Sequence, residues 1–272
     1  MKECCIIDTH THLCDTLFDQ DREEVLLRAQ QAGVCAVITV SEDLSDADRN
    51  LELVSQYPQL KAAAGLFPTC LVLEAADAMI ELIRKEREKL VAIGEVGLDY
   101  WVVKEEPDKE LQREIFRRFI HLSLELDLPL NVHSRSAGRH VVAMLLEHGA
   151  RKVQLHAFDG RASAALPAVE ANYFFSVPPS IVHSPQKQKL VKQLPLSCLL
   201  VETDSPVLGP VPGERNEPAN AAAVIDAIAG LKNLDKQEVM EATFQNTCRL
   251  YGKLQGALFE KTAPWTPTKT FN

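Results

Sequence analysis

The sequence lacks any long hydrophobic run. Among its 272 residues, no apolar stretch approaches the roughly 18–20 residues that a membrane-spanning helix needs. The first ten residues carry one lysine and a short apolar patch that ends in charge, which is not typical of a secretory signal peptide. We therefore expect a protein that does not enter a membrane, is not secreted, and is cytoplasmic or nuclear.

Paired cysteines are also lacking. The seven cysteines are odd in number and irregularly spaced, and the sequence contains no Cys-x-x-Cys pair. Several lie inside apolar runs, as Cys35 and Cys198 do. Since free cysteine behaves as a small hydrophobic residue, we expect buried thiols in a reducing compartment and not a disulfide framework.

Basic residues are not in surplus. The chain has 29 Lys and Arg residues against 38 Asp and Glu residues, a formal net charge of −9. Proteins that coat nucleic acid non-specifically are typically basic, so tight, metal-free binding of nucleic acid over a large surface is not expected. An enzyme that acts on phosphates is still possible, because bound divalent metals supply positive charge locally.

Eight short β-rich runs alternate with helical segments along most of the chain. The helical segment 108–127 places Leu111, Ile115 and Phe119 on one apolar stripe. The predicted strands occupy residues 4–10, 34–40, 61–67, 91–98, 129–134, 153–158, 172–177 and 198–203.

This alternation indicates parallel βα units, and closing eight of them gives a (β/α)8 TIM barrel, an α/β fold. An open doubly wound sheet is the alternative, but it usually carries a glycine-rich loop after an early strand, which is lacking here. Two further helices are predicted at 220–231 and 235–251. We expect residues 1–272 to form a single domain that ends in a Pro/Thr-rich tail at about 262–272.

The first predicted strand ends in a His-x-His pair. Since alternate residues of an extended chain point to one face, His10 and His12 project together and can chelate one metal ion. Further along, Glu95 lies in an apolar, glycine-containing stretch, where a buried carboxylate needs cations or hydrogen bonds around it. Gly94 and Gly97 would leave space beside it.

Later strands also end in polar residues that could bind metal together with His10, His12 and Glu95. His133 and His156 interrupt apolar β runs, and alternation places Glu202 on the same face as Asp204 after the last strand. In a TIM barrel, the carboxyl ends of all strands lie on one rim, where active sites form. Imidazoles and carboxylates suit Zn²⁺, Mn²⁺ or Mg²⁺, and six ligands exceed what one tetrahedral ion uses. The sequence therefore predicts two divalent metal ions with Glu95 between them, held by His10, His12, Glu95, His133, His156 and Asp204.

The set of motifs resembles the TatD family of metal-dependent deoxyribonucleases, within the amidohydrolase-like TIM barrels. Two small departures concern loops: Trp-Val-Val follows GLDY, and Asp159 stands where Ser or Thr is common. The resemblance implies the same six metal ligands as the residues themselves indicate. The matching segments are IDTHTHL (7–13), AIGEVGLDY (92–100), NVHSRSA (131–137), LHAFDG (155–160), LVETDSPVL (200–208) and GERNEP (213–218).

The resemblance implies a divalent-metal-dependent phosphodiesterase that acts on DNA, with RNA as a further potential substrate, as a 3′-to-5′ exonuclease. A metal-bridging hydroxide would attack phosphorus, with Glu95 and Asp204 as the catalytic carboxylates. Arg135, two residues beyond His133, is predicted to bind a phosphate, and Arg215 is a second candidate for that role. Glu202 is predicted to orient a ligand histidine or to take part in a third metal site.

Two other functions are compatible with these residues. One is a metal-dependent ester or amide hydrolase, such as a D-aminoacyl-tRNA deacylase, since the same hydroxide can attack carbon. The other is a barrel retained as a non-catalytic scaffold, although a scaffold has no need of six convergent ligands. No obligate protein partner is evident from the sequence.

Overall fold

The computed structural model describes residues 4–254 of the chain and shows a (β/α)8 barrel in that part. Eight parallel strands pair in sequence order, each with its neighbour along the chain. The eight predicted strands are therefore confirmed, with ends that shift by a few residues. Their bounds are Ile6–Thr11 (β1), Val34–Thr39 (β2), Leu60–Ala64 (β3), Leu90–Gly97 (β4), Leu130–His133 (β5), Val153–Leu155 (β6), Phe174–Val177 (β7) and Leu199–Val201 (β8).

The turn after β8 bonds to the end of β1, which nearly closes the sheet into a barrel and distinguishes it from an open sheet. The amide of Asp204 donates to the carbonyl of His10 at 2.8 Å, and the amide of His12 donates to the carbonyl of Ser205 at 2.8 Å. The hydroxyl of Thr9 also donates to the carbonyl of Val201 at 2.9 Å. These bonds bring the ends of β1 and β8 together, so the ligand candidates from the two ends of the chain meet.

A layer of α-helices surrounds the barrel. The predicted apolar stripe of 108–127 is confirmed on α4, where Ile115 and Phe119 are buried and Leu111 is half-buried against the core. Within residues 4–254 the helices are Arg22–Gln31 (α1), Leu44–Gln56 (α2), Leu73–Glu86 (α3), Glu106–Leu126 (α4), Gly138–Glu147 (α5), Ala162–Glu170 (α6), Pro185–Gln193 (α7), Ala221–Lys232 (α8) and Lys236–Leu250 (α9).

The expectation for the cysteines is wrong for one pair. Cys5 and Cys35 are joined by a disulfide whose Cα atoms lie 5.8 Å apart. The pairing register explains this proximity, because Ile6 at the start of β1 lies beside Val34 at the start of β2. Sequence spacing alone does not show which strand starts are neighbours.

Two expectations concern the membrane and the C-terminal tail. In the part of the chain that the structure describes, no helix is long and apolar enough to cross a membrane. The Pro/Thr-rich tail predicted at about 262–272 lies outside the described residues.

Candidate active site

The carboxyl ends of the strands bring all six predicted ligands together. Glycines permit this convergence around Glu95 on β4. A Cβ atom at Gly65 would lie 2.6 Å from the Glu95 carbonyl oxygen, and one at Gly94 would lie 2.6 Å from the Cβ of Asn131. Gly97 has a φ of 147°, a conformation that favours glycine. The sequence stretch IGEVG thus lets neighbouring strands approach closely around a buried carboxylate.

One group of donor atoms comes from β1, β4 and the turn after β8. The Nε2 atoms of His10 and His12 are 3.3 Å apart. The Asp204 Oδ1 atom lies 3.4 Å from each of these nitrogens. Glu95 Oε2 lies 3.6 Å from His10 Nε2 and 3.5 Å from His12 Nε2. Each of the two Nε2 atoms therefore lies within 3.6 Å of the other and of an oxygen from both carboxylates.

A second group of donors forms around the other oxygen of Glu95. Glu95 Oε1 lies 2.6 Å from His133 Nδ1 and 3.1 Å from His156 Nε2. The two oxygens of this carboxylate thus face different groups of histidines. This arrangement is the one a carboxylate would need to lie between two ions.

Glu202 lies at the edge of this second group. Its Oε2 is 3.5 Å from His156 Nδ1 and accepts a hydrogen bond from the Ser176 hydroxyl at 2.5 Å, while its Oε1 accepts from the Ala157 amide at 2.8 Å. His10, His156 and Glu202 together form a third set of atoms close enough to hold a cation. Sequence alternation predicted that Glu202 and Asp204 would both reach the cluster, and both do. However, β8 ends at Val201 and Asp204 has a φ of 56°, so a turn and not strand alternation directs Asp204.

Neighbouring polar residues fix the orientation of the histidines. Asn131 Oδ1 lies 2.8 Å from His10 Nδ1, on the side of the ring that faces away from the cluster. Asp99 Oδ2 lies 3.2 Å from His133 Nε2. Such partners select the tautomer and direction of a ligating imidazole.

The electrostatics of the cluster favour charged groups. Burial alone raises the pKa of Glu95, but His156 and His133 outweigh it and hold the pKa of Glu95 well below its usual range. Burial also raises the pKa of Asp204, and His10 and His12 reverse that effect and lower it. Burial lowers the pKa of His12, but Asp204 and Glu95 raise it to about 9. The ionised carboxylates thus attract positive charge to this site, whether protons or metal ions.

The donor set fits divalent cations. A tetrahedral ion with bonds of about 2.0–2.1 Å keeps its donors about 3.3 Å apart, close to the 3.3–3.6 Å between the Nε2 atoms and carboxylate oxygens of the first group. The His156 Nδ1 atom is buried and makes no hydrogen bond. Such an atom requires a partner, because an unsatisfied buried polar group is costly.

A pocket of about 440 Å³ opens onto the cluster. Glu95, Asp204 and three of the four histidines line it, while His10 lies behind them and is fully buried. Arg135 lines the pocket with an exposed side chain, as the phosphate prediction requires. The phosphate role predicted for Arg215 is not supported, because its guanidinium binds Asp21 at 2.8 and 2.5 Å and it does not line this pocket.

Sequence analysis missed Lys187, which also lines the pocket. Lys187 lies near the start of α7, and its Nζ donates to the Ala157 carbonyl at 3.3 Å. Burial lowers its pKa, and the nearby carboxylates of Glu202 and Asp204 oppose that shift. Among residues 4–254 it makes no ion pair. No motif marked this lysine, because it lies in a helix rich in lysine and glutamine.

Two other missed residues follow strands and were within reach of the sequence argument. Glu42 lies three residues after β2, lines the pocket, and has an Oε1 atom 3.8 Å from His12 Nδ1. Asp99 lies two residues after β4 within the GLDY motif. Polar residues just after a barrel strand are the signal that would have found both.

Comparison with known proteins identifies relatives over almost the whole chain. Residues 7–252 match the family model described as TatD related DNase. The human protein named deoxyribonuclease TATDN3 is 44% identical over 265 residues, which cover 93% of this chain and 97% of the human protein. A Bacillus subtilis protein named uncharacterized metal-dependent hydrolase YabD is 35% identical over 255 residues, covering 90% of this chain and 98% of that protein.

Solved structures show the same architecture. The crystal structure of YjjV, a TatD homologue from Escherichia coli K12, matches with a TM-score of 0.85 and 30% sequence identity. The match covers 92% of this chain and 98% of that one. The barrel fold is therefore shared with this relative.

Proposed function

Since the chain belongs to the TatD family and is a metal-dependent hydrolase acting on ester bonds, we propose that its substrate is DNA and that it cleaves phosphodiester bonds as a 3′-to-5′ exonuclease. Two relatives more than 40% identical carry deoxyribonuclease in their names. RNA offers the same phosphodiester and is a secondary substrate in this proposal. We further propose that the enzyme acts in the cytoplasm or nucleus.

The observation that carries the proposal is the position of Glu95 between two groups of histidines. We propose that two divalent cations, zinc, magnesium or manganese, bind on either side of this carboxylate. One would be held by His10, His12, Glu95 and Asp204, and the other by Glu95, His133 and His156. When bound, such ions lower the pKa of water so that it can act as a nucleophile near neutral pH, and they neutralise phosphoryl oxygens.

The side chains around the pocket divide the remaining tasks. Asp204 accepts the proton of the attacking water, because its carboxylate lines the pocket within 3.4 Å of His10 and His12. Arg135 donates two parallel hydrogen bonds to oxygens of the scissile phosphate, the geometry that suits a guanidinium. Lys187 adds a second positive charge to the same pocket. Glu202 lies 3.5 Å from Nδ1 of His156 without a hydrogen bond between them, and its negative charge favours a positively charged or metal-bound ring.

Low sequence preference follows from these contacts. Contacts to phosphate oxygens position a strand but carry no information about its bases. We therefore expect cleavage rates to vary little with base sequence.

The test is a metal-dependent nuclease assay on end-labelled single- and double-stranded DNA, with Asp204→Asn as the control. We expect stepwise shortening from the 3′ end that requires added divalent metal, and a loss of about 10²–10⁴-fold in rate in the control, the usual contribution of a general base. An aminoacyl-tRNA ester is assayed beside the DNA. Turnover of the ester without turnover of DNA would overturn the proposal in favour of the deacylase, and turnover of neither would favour a scaffold.

A further inference from the structure

An exposed tryptophan lies beside the pocket and has no part in the proposed chemistry. Trp101 follows the GLDY motif in the loop between β4 and α4 and is 57% exposed. The neighbouring Val102 is 54% exposed. Other large apolar side chains are exposed in the described residues too, but Trp101 is the aromatic one among them.

The loop that carries Trp101 is joined to the cluster of candidate metal ligands. Asp99 Oδ1 accepts hydrogen bonds from the amides of Trp101 and Val102 at 2.8 and 2.9 Å. The other oxygen of Asp99 lies 3.2 Å from Nε2 of His133. One carboxylate therefore fixes the position of the indole relative to a ligand histidine.

Two cations lie close to the indole ring. The guanidinium carbon of Arg135 lies 5.3 Å from the ring centroid, and the Lys104 ammonium lies 5.1 Å from it. Arg135 also lines the pocket, so a single side chain connects the indole to the site of the proposed reaction. A flat aromatic surface with cations close to it, next to a phosphodiester site, matches the way single-stranded nucleic acid is bound, with bases on aromatic rings and phosphates on basic groups.

We propose that Trp101 is a stacking platform for one unpaired nucleobase, the base next to the scissile phosphate of a single-stranded or frayed DNA end. The inference rests on the proposed nuclease function and adds a binding subsite to it. Stacking tolerates every base, because each has a flat π-face, so the platform selects unpaired strands and not a sequence. A base held in a duplex presents its edges and not its face, and would need to unpair first.

The test compares Trp101→Ala and Trp101→Tyr with wild type, with Val102→Ala as the matched control from the same loop. Substrates are a single-stranded oligonucleotide and the same oligonucleotide with an abasic nucleotide next to the scissile phosphate. For Trp101→Ala we expect KM on the normal strand to rise about tenfold or more, the range found when a stacking aromatic ring is removed. KM on the abasic strand should barely change, and Trp101→Tyr should retain most of the binding.

A second measurement does not depend on turnover. The chain has two tryptophans, at 101 and 265, so Trp265→Phe leaves Trp101 as the only indole. In a Trp265→Phe background measured without added divalent metal, so that the strand is not cleaved, we expect indole fluorescence to be quenched by the normal oligonucleotide and much less by the abasic one.

The outcomes separate the platform from the nuclease itself. The stacking proposal is wrong and the nuclease proposal is unaffected if wild type cleaves DNA while Trp101→Ala raises KM equally on the normal and abasic strands. The same conclusion follows if wild type cleaves DNA while both strands quench Trp101 fluorescence equally. If wild type cleaves no DNA and its indole is not quenched, both proposals fail. Quenching that requires the base supports the platform even where cleavage is slow.

Discussion

Two arginines near the carboxyl ends of the strands differ in what they bind. Arg135 lies against the face of Trp101 and lines the pocket, and within residues 4–254 it makes no ion pair. Arg215 binds both oxygens of Asp21, donates to the Leu17 carbonyl at 2.7 Å and lies over the Phe18 ring. Arg135 was a candidate for phosphate binding because it lies two residues beyond His133, and Arg215 because it lies in the loop after the last strand. In the described residues, only Arg215 of the two binds a carboxylate.

The difference shows that a charge near a site is available only if the fold leaves it without a partner. A guanidinium that already binds a carboxylate with two parallel bonds would have to break them to reach a phosphate. A guanidinium on an aromatic face keeps its donors at the ring edge free. We therefore assign substrate binding to the Arg135 side of the rim and structural support to the Arg215 side.

The largest expected effect is that of replacing Glu95, the carboxylate that lies between the two groups of histidines beside the pocket. Glu95→Gln should abolish metal-dependent cleavage, because an amide of the same shape lacks the charge that holds two cations. In the metal-free protein the variant should also melt at a lower temperature, because His133 and His156 lose the buried carboxylate that they contact. Activity assays, thermal unfolding and elemental analysis of the purified variant check this. Near-wild-type turnover would show that Glu95 does not lie between two metal ions.

A smaller loss is expected on the Arg135 side. Arg135→Lys keeps the charge but removes the paired donors, so kcat/KM on oligonucleotides should fall about ten- to a hundredfold, equivalent to about 1–3 kcal/mol for a charged hydrogen bond. Metal content should not change, since Arg135 is not a ligand. Hydrolysis of a small carboxyl ester, which offers no such oxygen pair, should fall much less. Equal losses on both substrates would mean that Arg135 supports the site and does not bind phosphate.

Replacing Lys187 should lower kcat/KM on DNA less than the largest loss expected for Arg135→Lys. Within residues 4–254 its Nζ has one protein acceptor, the Ala157 carbonyl, and a lysine offers a single ammonium and not a fixed fork of donors. Lys187→Gln should reduce kcat/KM on DNA about tenfold, or about 1.4 kcal/mol, through KM. Lys189→Gln, an exposed lysine of the same helix, is the matched control and should have little effect. If the two variants behave alike, Lys187 does not bind substrate.

The sequence predicted the barrel and the six converging residues because each left a local signal. Strand alternation paired His10 with His12, and Glu95 stood out as a carboxylate in an apolar strand. The pairing of side chains that are far apart in the chain left no such local signal in the sequence. The pairing of Arg215 with Asp21 joins residues 194 positions apart, and Lys187 reaches the pocket from a helix whose composition resembles a solvated surface. These contacts depend on how helices and loops pack around the barrel, which periodicity does not specify.

The Cys5–Cys35 bond illustrates the same limit. Each cysteine alone is typical of a small buried residue, and only the pairing of β1 with β2 brings their Cα atoms to 5.8 Å. The direction of Asp204 depends on a turn with positive φ, which strand alternation does not describe. Elements and their polar ends were therefore predictable, whereas pairings between distant residues were not.

The smallest expected effect is on the Arg215 side and concerns stability alone. Arg215→Gln should leave kcat/KM on DNA within about twofold, because the side chain does not line the metal pocket. Arg215 lowers the pKa of Asp21, so the pair stabilises the fold above the pKa of the unfolded carboxyl, about 3.9, and this stability disappears as pH falls through the lower folded value. Both side chains are about one-third exposed, so the contribution at pH 7 should be at most about 1 kcal/mol.

That contribution corresponds to a fall of about 2–4 °C or less in melting temperature for a protein of this size. The difference between wild type and Arg215→Gln should be present at pH 7 and shrink toward pH 3, where Asp21 takes up a proton in the variant. A double-mutant cycle with Asp21→Asn isolates the pair from other effects of each substitution. Since Arg28 also approaches Asp21 at 3.6 Å, some stabilisation of Asp21 should survive in Arg215→Gln and be lost in the double variant. A large loss of DNA cleavage in Arg215→Gln with unchanged stability would instead place this arginine in the substrate site and remove the distinction between the two sides of the rim.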